Sequence, residues 1–354
     1  MNTLVLITGT GRSGTSTMSG TLHHLGLYVP GPYLGANESN PKGFFESRWS
    51  VRFHKRVTQK AHVHEFDGRP EAFDRVQSVL SDEDREAVVR FLRKHAEGHE
   101  QIVVKDPRTV WTQALWREAA AEVGLETRYI SMLRHPAEVV GSRATYYASS
   151  TDQEKRRRYE IFNVARWINN SLISERETRG QSRAFVAYTD LLDDWRPVLV
   201  RLSAELGLAY DADLTDGSPS PVDDFIEPGL RRHQVTWQDL EIPADLQDLA
   251  QRIWDDLVVL GRSGGHDEAA SADLDELSCR YQRLLSEAAA ISHDSIGEAV
   301  DQARRAGAEE ERSRLGTSGA TAPARDSRRI VEETGGRELL REVGARVRRR
   351  VRRG

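Results

Sequence analysis

Residues Leu4-Val-Leu-Ile7 form a short apolar run that opens directly into Thr8-Gly-Thr-Gly-Arg-Ser-Gly-Thr-Ser-Thr17. The run predicts a buried strand, and Met18, Leu22, Leu25 and Leu27 predict a helix from about Ser16 to Leu27. A strand, a glycine-rich turn and a helix together build a phosphate cradle. Loop amides converge on one point, and the helix N-terminus adds its positive end. The spacing from Gly9 to Gly14 imitates the P-loop of nucleotide triphosphatases. Where that motif needs Lys and then Ser or Thr, however, Thr15 and Ser16 stand. The loop's one cation is Arg12. The loop is therefore expected to hold a phosphate without the lysine that reaches a transferable γ-phosphate.

Downstream, strands and helices alternate. Tyr28 to Ser47 is an irregular Pro-, Gly- and Asn-rich connection, followed by a helical pattern from Arg48 to His62. Glu71 to His95 reads as one or two surface helices. Gln101-Ile-Val-Val-Lys105 is a second strand, apolar through its middle as a central parallel strand should be. A helix over Val110–Val123 leads to a third strand, Thr127–Leu133, and Pro136 opens the next helix, where its missing N–H costs nothing. A long helix from Glu154 to Thr178 and a strand from Arg183 to Ala187 follow. This alternation predicts an α/β fold, a three-layer, P-loop-like parallel sheet flanked by helices. In such sheets ligands bind at the carboxyl ends of strands, where the loop, Lys105, Arg134 and Tyr188 all fall.

Arg134 ends a strand, and Ser142 lies eight residues on, two turns into the helix that Pro136 starts. A guanidinium and a hydroxyl so placed can converge on a second phosphate. The segment Arg12-Ser-Gly-Thr-Ser16 resembles the 5′-phosphosulfate loop of sulfotransferases that use 3′-phosphoadenosine 5′-phosphosulfate (PAPS). The Arg134–Ser142 pair is similar to that family's 3′-phosphate site. Asn40-Pro-Lys-Gly-Phe-Phe-Glu46 and Lys105-Asp-Pro-Arg108 look like segments of its bacterial and carbohydrate-type members. Tyr188-Thr-Asp-Leu-Leu192 resembles a further family segment, and Asp223 to His233 the late basic loop that closes over the nucleotide, with Arg231 and Arg232. The likeness runs from residue 1 to about 260 in the family's order.

The resemblance implies transfer of a sulfuryl group from PAPS to a hydroxyl or amine of a carbohydrate, glycolipid or small molecule. Such a transfer needs charge on the leaving 5′-phosphate, charge near the SO₃ oxygens, and a base for the acceptor proton. Gly11, Arg12, Ser13, Gly14, Thr15 and Ser16 are expected at the 5′-phosphate, and Arg134 with Ser142 at the 3′-phosphate. Lys105 is expected on the transferred group or leaving oxygen. The small-molecule branch of the family places a basic histidine two residues after this lysine, and Pro107 stands there instead. Glu46 is then the first choice of base, with Glu38 and His54 as alternatives. Sulfuryl carries less charge than phosphoryl, so no metal is expected. A kinase-like phosphotransferase and a non-catalytic nucleotide-binding scaffold are the competing readings. Loops 28–47, 60–70 and 145–155 are expected to choose the acceptor.

Composition divides the 354 residues. The tryptophans and β-branched runs lie in residues 1–260, taken as the catalytic domain, while Ala, Glu, Arg, Asp and Ser dominate from Gly261 onward. Residues 261–315 read as a helical extension, with Leu274 to Ile291 at helical spacing, and 316–336 as a flexible linker. In the tail, 337–354, eight arginines against two glutamates give +6. A net charge of −5 for the chain then leaves −11 on the preceding 336 residues. An acidic body argues against nucleic-acid binding, while the basic amphipathic tail reads either as a contact with anionic lipid or as a soluble end. The lone Cys279 and the apolar run of only four residues near the N-terminus fit a cytoplasmic enzyme, peripheral to the inner membrane face if the tail binds lipid.

Overall fold

The computed structural model describes residues 2–37, 40, 42–147, 152–227 and 235–316. Glu38, Arg231, Arg232, nearly all of the 316–336 linker and the 337–354 tail lie outside the described residues. Four parallel strands, β1 (Thr3–Thr8), β2 (Gln101–Lys105), β3 (Glu126–Leu133) and β4 (Arg183–Ala187), form one sheet in the order β2-β1-β3-β4. This is the α/β sheet flanked by helices that the sequence predicts.

Every residue of β1 is buried, because both sheet faces are covered. Val5 and Ile7 point to one side and pack with Met18, Leu22, Val186, Leu199 and Leu202. Leu4 and Leu6 point to the other and pack with Val57, Val88, Leu92, Trp111 and Trp116. Each such fully buried aliphatic side chain contributes about 1.5–3 kcal/mol relative to exposure.

The first layer carries α1 (Thr15–His24). The connection from β1 to β2 continues through α2 (Arg48–Ala61), α3 (Ala72–Gln77) and α4 (Asp82–Ala96). Ser47 caps α2 through the Trp49 amide, and Ser81 and Asp84 form a reciprocal capping box on α4. The helix predicted over 110–123 begins later. A 3₁₀ turn over Pro107–Trp111, capped by the Asp106 side chain, precedes α5 (Gln113–Glu122). From β3 the chain passes through α6 (Pro136–Tyr147) and α7 (Gln153–Thr178) to β4. Beyond it lie α8 (Tyr188–Asp193), α9 (Trp195–Leu206), α10 (Pro221–Phe225) and α11 (Ala244–Arg262), then α12 (Glu268–Ile291) and α13 (His293–Gly316).

The chain divides into two compact units, residues 1–280 and 281–354. In the second, the described residues are the end of α12 and α13, joined where Ser292 caps back onto the Ala288 carbonyl. No helix among the described residues is long and apolar enough to cross a membrane.

Topology sets the site. The chain leaves β1 for β2 on one side and returns to β3 on the other, so the strand order reverses beside β1. A crevice opens at the carboxyl ends there. Lys105 ends β2 and Arg134 follows β3, so the two cations flank the loop that leaves β1.

Candidate active site

The β1–α1 loop has backbone conformations that its residues must tolerate. Gly9 (φ 127°) approaches β3 so closely that a Cβ would lie 2.7 Å from the Met132 carbonyl oxygen. Gly14 (φ 92°) caps α1, and a Cβ there would lie 2.2 Å from the Tyr188 ring. Arg12 takes the left-handed region as well (φ 75°), at a cost a non-glycine residue bears only when its surroundings hold it. Here they do. Arg134 donates from Nη1 to the Arg12 carbonyl (3.1 Å), and Arg143 donates from Nη2 to the Gly11 carbonyl (3.4 Å). Ser13 turns its hydroxyl back to the Thr10 carbonyl (2.6 Å).

With glycine at its N-cap and no acid in its first turn, α1 keeps the first-turn amides clear of a side-chain cap. Those uncapped N–H groups make a local site for an anion. Arg12 Nε donates to Ser142 Oγ (3.1 Å), which joins the loop to α6. Arg134 also donates to Glu138 (3.0 Å) and stacks over Tyr188 at 5.2 Å from the ring centre.

Across the loop, Lys105 is 1 % exposed and donates from Nζ to Ser16 Oγ (2.9 Å) and to Glu46 Oε1 (2.5 Å). Burial pushes the Glu46 carboxyl above its usual range, and the nearby Lys105 ammonium only partly opposes that.

Behind this pair lies a second polar line. Trp116 Nε1 donates to His54 Nε2 (2.9 Å), so the ring proton sits on Nδ1 and is donated to Asp106 Oδ2 (2.9 Å). Asp106 also accepts from the Arg108 amide (3.0 Å) and from Nη1 (2.8 Å). Burial alone would raise the Asp106 carboxyl, but its contacts with His54 and Arg108 hold it well below the usual range. Arg108 reaches on to Glu65.

The loop, the Lys105–Glu46 pair, Arg108, Arg134 and Ser142 meet around one cavity of about 430 Å³. Gly11, Arg12, Gly14, Thr15, Ser16, Glu46, Lys105, Arg134 and Ser142 line it, so nine of the residues expected from the sequence meet in one place. Six cationic side chains face two carboxylates around its wall, a surface suited to a polyanion.

A profile of the sulfotransferase family matches residues 5–212. The chain belongs to this family. Two solved structures are similar to this sulfotransferase, the sulfotransferase domain of the Synechococcus PCC 7002 olefin synthase and that of the curacin biosynthetic pathway. The first is 18 % identical, over 73 % of this chain and 94 % of that one, with a TM-score of 0.41. The second is 17 % identical, over 73 % and 98 %, with the same TM-score. No curated protein matches the sequence.

Two expected residues of the sulfotransferase stand apart from the cavity wall. Ser13 braces the loop from inside, and His54 has both ring nitrogens engaged away from the cavity. Its lone pair is spent on Trp116, so among the base candidates that are described it is Glu46 that faces the cavity. Several lining residues carry no motif in the sequence. His64 and Phe66 come from the 62–69 loop, Arg143 from the residue beside Ser142, and Tyr159, Asn163 and Arg166 from one face of α7. Only the i, i+4, i+7 spacing of the last three hinted at a shared direction.

Proposed function

We propose that this sulfotransferase moves the sulfuryl group of PAPS to a hydroxyl of a carbohydrate, glycolipid or small molecule, with Glu46 as the base. The observation that carries the reading is the buried Lys105–Glu46 pair beside the phosphate loop, within one cavity. The donor set fits the nucleotide. Uncapped α1 amides, Arg12 and the hydroxyls of Thr15 and Ser16 suit a 5′-phosphate, and Gly14 lets the start of α1 pack against Tyr188 where a side chain would collide with it. Arg134 and Ser142 suit the 3′-phosphate.

PAPS, when bound, supplies a sulfuryl group joined to a phosphate leaving group. The acceptor oxygen gains the S–O bond that the phosphate loses, and the hydroxyl proton goes to Glu46. Arg12 and the α1 amides balance the charge that gathers on the departing phosphate, a task that falls to a lysine and a metal in phosphoryl transfer. Lys105 stabilises the bridging and sulfuryl oxygens. In releasing Glu46 for the acceptor, Lys105 passes from one anion to another. Burial favours this exchange, because an ammonium out of water must keep a partner. Asp106, held by His54, caps the turn that follows Lys105 and carries Arg108.

Calorimetry tests the donor half. Adenosine 3′,5′-bisphosphate is expected to bind, adenosine 5′-monophosphate to bind at least about tenfold more weakly for want of the 3′-phosphate contacts, and ATP with Mg²⁺ to show no preference over the monophosphate. Preference for ATP with Mg²⁺ would favour a kinase instead.

A further inference from the structure

One wall of the cavity takes no part in the transfer proposed above, although Arg143 on it also braces the Gly11 carbonyl of the phosphate loop. Arg143, Arg166, His64 and Phe66 share it. The Arg143 guanidinium lies 4.4 Å from the Phe66 ring centre and is oriented by Nη1 donating to Asn163 Oδ1 (2.8 Å). Arg166 is oriented in the same way, 4.5 Å from the Phe162 ring centre. Stacking on an aromatic face fixes the plane of a guanidinium and so the direction of its charge.

His64 completes the group. Its Nδ1 accepts the Phe66 amide (3.0 Å), which leaves the ring proton on Nε2. Burial, then the charge of Arg166, lowers this histidine to about 4 despite Glu65 and Asp67 nearby. It is therefore neutral at pH 7 and adds no repulsion to the arginines.

The wall is rigid. Asn169 Nδ2 donates to the Asp67 carbonyl (2.8 Å) and the Arg69 carbonyl (3.0 Å), and Trp111 Nε1 donates to the Glu65 carbonyl (3.0 Å). Asp67 itself is tied to Arg69 (2.7 Å) and accepts the His64 amide (3.1 Å). Donors fixed before the ligand arrives cost little ordering entropy on binding.

We propose that Arg143, Arg166 and His64 form a subsite for an anionic group on the acceptor, a carboxylate or a phosphate, so that the enzyme sulfates hydroxyls of acidic molecules. This rests on the reading above, in which the loop and the Arg134–Ser142 pair take the two phosphates of the nucleotide. A carboxylate or phosphate matches guanidinium groups held in fixed planes, and the neutral imidazole adds no opposing or competing charge.

Calorimetry on the full chain saturated with adenosine 3′,5′-bisphosphate tests it with paired probes that differ in one charge. The pairs are 4-hydroxyphenylacetate against 2-(4-hydroxyphenyl)ethanol, methyl glucuronide against methyl glucoside, and glycerol 3-phosphate against glycerol. The acid of at least one pair is expected to bind about tenfold or more tightly than its neutral partner. Arg166→Gln is expected to shrink that gap to under about threefold with nucleotide affinity unchanged, and Arg166→Lys to keep part of it. Equal binding within every pair, or no binding by either member, overturns the subsite. Loss of nucleotide affinity in Arg166→Gln with the gap intact also overturns it, since the arginine then serves the nucleotide. If the parent fails to bind the nucleotide yet shows an acid preference that Arg166→Gln removes, the subsite stands and the donor reading fails.

Discussion

Lys105 Nζ donates to Glu46 Oε1 at 2.5 Å in a pair almost wholly removed from solvent, the lysine 1 % and the glutamate 5 % exposed. Neither charge can lose the other without a replacement, so the transfer proposed above requires an anion and a hydroxyl to arrive together. With Glu46 as the proposed base, the pairing also sets the expected acid side of the rate. Burial raises the Glu46 carboxyl above 4.5, and a base must be deprotonated to act. The rate constant kcat/KM is therefore expected to rise with pH along a limb centred above that of an exposed glutamate. A pH–rate profile from 4 to 8 that is flat, or that turns at or below 4.5, contradicts this.

Gly14→Ala brings a methyl group to the Tyr188 ring at a residue whose φ is 92°. The strained backbone alone is expected to cost about 1–3 kcal/mol, with the clash added. Gly14→Ala/Tyr188→Ala should recover the clash and keep the strain. Thermal melts of the three proteins check it, and a single variant as stable as the parent refutes the reading.

Asp106 supplies a pH signature in stability. Burial works to raise its carboxyl, and its contacts with His54 and Arg108 win, so the folded value lies below the ordinary 3.8. A depressed folded value stabilises above the unfolded one, and that stability is lost as the pH falls below about 3.8. Asp106→Asn is expected to lose about 3–5 kcal/mol at pH 7, as when one partner of a buried ionic pair is removed. It should also show a shallower acid limb than the parent. Parallel acid limbs in urea titrations between pH 7 and 3 would remove Asp106 from that role.

Arg134 holds the Arg12 carbonyl and faces the cavity. Arg134→Ala is expected to weaken adenosine 3′,5′-bisphosphate by about 1.5–3 kcal/mol, the range for a hydrogen bond to a charged group. The monophosphate should weaken less, because it lacks the 3′-phosphate. An equal loss for both nucleotides in calorimetry points to a role confined to loop geometry.

The strands were legible because central parallel strands are buried on both faces and read as unbroken apolar runs, as in Leu4–Ile7 and Ile102–Val104. The glycine-rich β1–α1 loop and the placing of Arg134 and Ser142 at one cavity were legible because each is local, within one turn or two turns of helix. What was hidden depends on tertiary packing. Nothing in the residues around His54 foretells that Trp116, from α5, takes its lone pair. Nothing near His64 foretells the arginines of α6 and α7. Ser13 sits inside a phosphate motif, yet the sharp turn at Arg12 directs its hydroxyl to Thr10. The later start of α5 follows from Asp106 capping a 3₁₀ turn that begins with Pro107.

The most direct test is transfer itself. The parent and Glu46→Gln are each incubated with PAPS labelled in its sulfur and a pool of hydroxyl-bearing metabolites from a cell extract, and labelled products are separated and counted. The parent is expected to label a discrete product. Glu46→Gln should label it about 10²- to 10⁴-fold more slowly, the usual worth of a general base, while binding adenosine 3′,5′-bisphosphate as the parent does. No labelled product from the parent, or equal labelling by both proteins, contradicts a Glu46-dependent sulfuryl transfer.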